Sequence, residues 1–368
     1  MKKIFIVSLC LASATISKAT IRTVCNLPAP SAQYSSIQAA VDASATGDTI
    51  LVQGSGQSYG VFTIADKRLV VIGPGWKPLK NVPQLVANVQ NCTINGTAAS
   101  GTEIQGLTFR DGFTDAVDIQ PGVIISNLKF VRNHFLKSVV IGGSGTGTYN
   151  SYLFEGNWFD QGWIAMGGYG GNFTSNYIIR NNIFYNARVS GFINANSIMV
   201  DHNLFYSSGL FYVFGSNASY PSVNFTIQNN IFCRAEPIYG TSGNGGAKNC
   251  VFKNNITFNT NATAPWTLNG NIDAGGNVLN QDPLMAAQTQ VNSGVDDPLL
   301  NFTIASGPAN NKATDGKDMG LLFDNTGNLN WSNSRNSRLP YVYDINITNP
   351  NIAPGGTLNI TLEARKSN

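Results

Sequence analysis

The stretches FVRNHF (130–135), FEGNWF (154–159), IRNNIF (179–184), VDHNLF (200–205), IQNNIF (227–232) and FKNNITF (252–258) share one pattern: an apolar residue, two positions, Asn, one position, then usually Phe. The asparagines are Asn133, Asn157, Asn182, Asn203, Asn230 and Asn255, spaced 24, 25, 21, 27 and 25 residues apart. A period in the twenties is the signature of a solenoid. Each copy is a short β-branched and aromatic run bounded by Gly, Ser and Asn, far below helical length, so the coil is built of strands and turns. A leucine-rich repeat also carries Asn after an aliphatic pattern. Here the apolar positions hold Ile, Phe, Val, Tyr and Trp instead of regular Leu, and the spacing wanders, which favours a parallel β-helix.

Asn is the non-glycine residue most at ease in the left-handed backbone region. The repeat asparagine is therefore expected to take that conformation at a tight bend between strands. Coils stacked roughly 4.8 Å apart would lay these asparagines over one another in a hydrogen-bonded ladder. The same register assigns the residues two before each Asn, namely Val131, Glu155, Arg180, Asp201, Gln228 and Lys253, to one outward column. Acid, base and acid alternate at Glu155, Arg180 and Asp201, as expected of cross-strand pairs that support register.

The 368 residues form one body on this reading. Charged residues make up 12%, against roughly 25% in a typical globular chain, so Asn, Ser, Thr and Gly clothe the surface. A net charge of +3 without a Lys/Arg cluster argues against nucleic acid as a partner. Lys2 and Lys3 precede the apolar run Ile4 to Ala14, and Ser17 and Ala19 sit where a signal peptidase reads small residues, so residues 1–19 are expected to direct export. Leu9 is bulky for a lipid anchor at Cys10. No later apolar run reaches the roughly 18 residues of a membrane span. Export permits disulfides, but Cys233 follows its repeat Asn by three residues and Cys250 precedes its own by five. The two fall in different columns, so buried free thiols are expected at Cys25, Cys92, Cys233 and Cys250.

Residues 34–43, YSSIQAAVDA, place Ile37, Ala40 and Val41 on one face behind Ser35 or Ser36 as N-cap, a short helix able to plug one end. GDTILVQGSGQSYGVFTI (47–64) and KRLVVIGPGW (67–76) supply the first strands. This opening resembles that of right-handed parallel β-helix proteins of the pectin-lyase-like superfamily, and the repeats over 92–277 resemble their degenerate coils. QDPLMAAQ (281–288) and DDPLLNFTIASGPANNKATDGKDMGLL (296–322) are similar to the strands that end the helix in many exported bacterial members. The resemblance implies an all-β right-handed parallel β-helix over 20–325. Residues 326–368 form a C-terminal extension, in which YVYDINIT and TLNITLEA flank a turn and predict a β-hairpin.

What the resemblance implies about activity is polysaccharide chemistry, and the chain carries only fragments of it. Of the polygalacturonase acids, Asp296-Asp297 alone is present. Met199-Val200-Asp201-His202 resembles the pectate-lyase Trp-Ile-Asp-His, but Asp201 and His202 occupy positions that every repeat fills. Arg234-Ala-Glu-Pro237 matches part of Arg-x-Pro-x-x-Arg, with Gly240 where the second Arg belongs. Such lyases use calcium. The acids Asp111, Asp115 and Asp118 offer too few oxygens for it and are expected in a solvated loop; no metal site is assigned, no catalytic residue is identified, and no cofactor is expected other than the calcium that the lyase alternative would use. His134 fills the slot of Trp158, Ile183, Leu204, Ile231 and Ile256 and is expected to pack there.

The strands after each bend are rich in aromatics: Trp163, Phe192, Phe211, Tyr212, Phe214, Tyr239 and Trp266. Alternation turns about half of a strand outward, and Trp163, Tyr212, Tyr239 and Trp266 are the candidates for a platform on which sugar rings stack. Three roles remain open on the sequence: a secreted or surface protein engaging extracellular polysaccharide, a structural or adhesive surface protein without a catalytic site, and a calcium-dependent lyase.

Overall fold

The computed structural model describes residues 19–28, 32–76, 85–110, 115–143, 145–167, 171–215, 220–238, 245–323, 331, 340–347 and 355–366. Residues 1–18 of the export segment, Asp111, Tyr239 and Gly240 lie outside the described residues.

The chain is an all-β parallel solenoid. Each full coil runs through a first sheet, the Asn bend, a second sheet, a third sheet, a loop and a short fourth sheet. Eleven strands stack in the first sheet, from Ile21–Val24 to Ile272–Asp273; eight stack in the second, six in the third and four in the fourth. All coil-to-coil pairings are parallel, with registers such as Phe130↔Phe154↔Ile179↔Val200↔Ile227↔Phe252 holding without slippage through six coils. The helix Ile37–Ala43 opens the fold behind Ser36, whose side chain caps Ala39 N–H, and buries Ile37, Ala40 and Val41 as the apolar spacing predicts. At the other terminus Pro340–Ile347 and Ile360–Lys366 pair antiparallel as a hairpin. No helix among the described residues is long and apolar enough to cross a membrane.

The ladder is present and runs one rung further than the repeats predict. Each asparagine side-chain Oδ1 accepts from the backbone N–H and the Nδ2 of the asparagine on the preceding coil, from Asn133 on Asn157 through to Asn255 on Asn277, at 2.9–3.2 Å. Each Nδ2 also donates to a carbonyl of that coil, as Asn182 does to Phe154 at 3.0 Å. The conformational expectation is corrected. The ladder asparagines are not left-handed; the residue before each one is, with positive φ at Arg132, Gly156, Asn181, His202, Asn229 and Asn254. The bend thus divides its two demands between neighbours: one residue turns the chain, and the next satisfies the buried backbone groups that the turn leaves unpaired.

The Phe two positions after the ladder points inward. Phe109, Phe135, Phe159, Phe184, Phe205 and Phe232 form a continuous stack with centroids 4.6–5.1 Å apart. The position between Asn and Phe points outward, and it is aliphatic in most coils: Ile183, Leu204, Ile231 and Ile256 are all buried. Their cover is residues 281–323, which do not end the solenoid with further coil strands. They turn back along the outside of the second sheet as a strap with one helix, Gln288–Asn292, and an isolated antiparallel bridge, Met285↔Ile304. Met285, Val291, Phe302, Met319 and Leu321 of the strap join that aliphatic column in a second hydrophobic core, which Trp76 and Trp331 extend.

The charge column forms as predicted, with Val131, Glu155, Arg180, Asp201, Gln228 and Lys253 in register. Arg180 Nε lies 2.6 Å from the buried Glu155 carboxylate. His202 and Asp201 are scaffold. His202 Nδ1 lies 3.0 Å from Gly320 O and its Nε2 3.5 Å from Asp315, so this imidazole pins the strap to the coil. Cys25, Cys92, Cys233 and Cys250 are buried free thiols.

Candidate functional site

Two places bring polar chemistry together, one on the third sheet and one beneath the strap.

On the third sheet, Thr93, Asp118, Val140, Ala165 and Ser190 lie in register on five successive coils. These side chains are small except at Asp118, so they form a shallow floor along the solenoid axis. Asp118 belongs to the strand Asp115–Ile119, which replaces the solvated loop expected for these acids. Burial raises the Asp118 pKa, and the hydrogen bond from Gln120 Nε2 at 2.6 Å offsets this only in part.

Trp163 and Arg188 each stand two residues before their floor residue, Ala165 and Ser190, at the bend where the second sheet passes into the third. The nine-residue strand Leu204–Tyr212 has an irregularity between Tyr206 and Phe211 that brings Phe211 to the same rim. The Arg188 guanidinium carbon then lies 4.8 Å from the Trp163 ring centroid and 4.4 Å from that of Phe211. A guanidinium held between two aromatic faces keeps its charge at the surface while its flat faces are shielded. Sequence reading found Trp163 here but not Arg188, whose only local sign was its position 25 residues on from Trp163.

The other predicted aromatics separate. Tyr212 is half-buried on the same rim, paired across to Glu236. Trp266 is 6% exposed and packs on Phe252 at 5.3 Å inside the core, so it offers no ring face to a ligand. Phe192 and Phe214 are likewise core residues. Arg234 is spent on the strap, donating from Nη1 to Asn292 O at 2.8 Å.

Beneath the strap, His134 lies flat against Trp158, with centroids 3.7 Å apart and planes 7° from parallel. The imidazole packs as expected, yet its Nε2 also faces Asp160 Oδ2 at 3.5 Å. Asp296 of the strap stands near enough to Asp160 for each acid to shift the other's titration. Burial lowers the His134 pKa by more than Asp160 raises it, so the ring is neutral near pH 7. Burial works against charge on Asp160 as well, but His134 and Asp296 outweigh it and hold this carboxyl below its ordinary pKa. Asp296 is pushed up to about 7, by burial and then by the negative charge of Asp160 and Asp297. The nearness of Asp160 to Asp296 had no signal in the sequence, because no local pattern reveals the return path of the strap. Among the described residues no group of three or more His, Cys, Asp or Glu is arranged to hold a metal ion.

No family model matches the chain, and no curated protein matches it in sequence. Among solved structures it is similar to the pectate lyase Pel9A, at 16% identity over 83% of this chain and 96% of that one, with a TM-score of 0.35. It is similar to a PL6 family alginate lyase, AlyGC, at 14% identity over 86% of this chain and 58% of that one, with a TM-score of 0.30. QnrB1, a plasmid-mediated fluoroquinolone resistance protein, aligns at 10% identity over 63% and 95%, with a TM-score of 0.17. At such scores the strand register described above, and not these alignments, establishes the fold.

Proposed function

We propose that the protein engages polysaccharide along the third sheet, with the glycan lying parallel to the solenoid axis. The observation that carries this reading is the Arg188 clamp. Trp163 and Phe211 hold one cation at the edge of a floor of small side chains that continues over five coils. Coils repeat at roughly 4.8 Å, so an extended chain of sugar rings meets a new floor residue at each step: hydroxyls at Thr93 and Ser190, a carboxyl at Asp118 and aliphatic surface at Val140 and Ala165. Tyr212, next to Phe211 on the same strand, presents a phenol suited to a wet, half-apolar contact. Arg188 supplies charge-assisted hydrogen bonds, each typically 1.5–3 kcal/mol.

The test is affinity electrophoresis through gels containing neutral or carboxylated polysaccharides. R188A and W163A are expected to abolish retardation on the glycan that slows the wild-type protein while still unfolding cooperatively, W163A at a lower temperature because Trp163 also packs on the core. R188K keeps the charge but not the planar fork, and is expected to fall between the two. Retardation of R188A and W163A equal to wild type would remove the third sheet from glycan recognition.

A further inference from the structure

Three Asn-Gly pairs occur in the chain, at 95–96, 244–245 and 269–270. Asn244 lies outside the described residues, and the other two pairs set the same dipeptide in different surroundings. Asn95 is the exposed last residue of the third-sheet strand Asn91–Asn95. It pairs with Ala65 on one side, while pairing on the other side ends one residue earlier, at Ile94↔Ile119. Neither its side-chain amide nor the Gly96 N–H makes a hydrogen bond among the described residues. Asn269, by contrast, is held: its Nδ2 donates to Gly245 O at 2.9 Å and to Ala247 O at 3.3 Å. One backbone bond restrains the linking peptide in each pair, Asp66 N–H to Asn95 O at 3.0 Å and Asn249 N–H to Asn269 O at 3.1 Å. What separates the two sites is therefore the freedom of the asparagine side chain.

We propose that Asn95 is a self-modification site, where the folded protein converts its own asparagine to isoaspartate and aspartate while Asn269 is spared. Solvent hydroxide removes the Gly96 amide proton, and the nitrogen attacks the carbonyl carbon of the Asn95 side chain. The new C–N bond closes a five-membered succinimide; the bond to the side-chain nitrogen breaks, and that nitrogen takes up a proton and leaves as ammonia. Water then opens the ring at either carbonyl. Opening at the side-chain carbonyl gives aspartate, and opening at the backbone carbonyl gives isoaspartate, in which the chain runs through the former side chain. The sequence consumes one water, releases one ammonia and changes no oxidation state.

Glycine is required at 96 for the fold itself, which keeps the attacking nitrogen unshielded. Its φ of 79° suits glycine, and a β-carbon there would collide with the Asp66 carboxylate. The product alters the sheet in two ways. It adds a carboxylate beside Asp66, where like charges oppose each other, and the isoaspartate form lengthens the backbone by one methylene, which breaks the Ala65↔Asn95 register. The change falls two residues beyond Thr93, at the end of the third-sheet floor farthest from Arg188.

Peptide mass spectrometry of the full chain, aged in its folded state at pH 8 and digested in acid, reads the conversion directly. Asn269 must first give up two hydrogen bonds, so the Asn95 peptide is expected to gain the mass of an amide-to-acid exchange about tenfold faster or more. Its product is expected to accept methyl groups from an isoaspartyl methyltransferase. In denaturant the restraint on Asn269 is gone, and the two peptides are expected to convert at rates within about twofold of each other. N95Q lengthens the side chain past the five-membered ring and is expected to leave that peptide unconverted. A folded-state rate at Asn95 no greater than at Asn269, a rate gap that persists unchanged in denaturant, a product without isoaspartyl linkage, or equal conversion in N95Q would each overturn the site.

Discussion

Replacing Asn182 by Ala tests whether the ladder stabilises the fold or merely accompanies it. Asn182 is fully buried, and its side chain makes four bonds: Oδ1 accepts from Asn157 N–H and Asn157 Nδ2, and Nδ2 donates to Phe154 O and Asn203 Oδ1. Two of those partners keep other company after truncation. Asn157 Nδ2 still donates to Phe130 O, and Asn203 Oδ1 still accepts the backbone N–H of residue 182. Asn157 N–H loses its only partner where water does not reach, whereas Phe154 O keeps its place in the parallel ladder with Ile178–Arg180. A buried group left unsatisfied costs about 1–3 kcal/mol, so this one group plus the small void gives about 2–4 kcal/mol. Asn277 ends the ladder in a half-exposed position where water can replace it, so N277A is expected to cost about 1 kcal/mol. Urea unfolding followed by far-ultraviolet circular dichroism, with the slope of the transition checked for constancy, measures both. If N182A loses no more than N277A, the asparagines occupy the bend without holding it.

Two further outcomes follow from the cores. Phe184 sits between Phe159 and Phe205 at 4.7 and 4.6 Å, so Phe184→Ala is expected to cost about 3–5 kcal/mol, and a loss under 1 kcal/mol in the same urea assay would mean the stack collapses to fill the gap. Burial raises the pKa of Cys92, Cys233 and Cys250, which leaves almost no thiolate to react at pH 8. A chain lacking residues 1–19 should thus show no thiol accessible to Ellman's reagent when folded and all four in denaturant without reductant; fewer than four would reveal a disulfide.

The repeat asparagines disclosed the period, the register and the charge column because a solenoid writes the same local demand once per coil. They misled on backbone conformation for a physical reason. The turning residue and the ladder residue are adjacent, and in three copies both are Asn (181–182, 229–230 and 254–255), so the pattern does not say which does which. Arg132 and His202 precede their asparagines without favouring a positive φ, and of the six copies Gly156 before Asn157 alone has a glycine at the turning position. The strap was written more faintly. Ile183, Leu204, Ile231 and Ile256 occupy outward slots yet are apolar, which is a demand for cover, but nothing in the repeats says what supplies it. Asp160 and Arg188 were missed because their neighbours come from the strap and from an irregular strand, where register cannot be counted forward. Trp266 was misassigned because alternation in a short, irregular segment does not fix which side faces in.

A bare stack of coils is a one-dimensional object, in which each rung answers to the rungs beside it and the ends fray independently. The strap changes that connectivity. Trp331 rests on Trp76 at 5.2 Å, and Leu322 reaches back to Asn181, so residues made near the end of synthesis complete a core whose other wall was made near the beginning. The outer aliphatic column must wait, uncovered, until the strap emerges. A chain cut short after the last coil would keep every rung of its ladder and still present a greasy flank to its neighbours, and loss of the strap should register as clumping before it registers as unfolding.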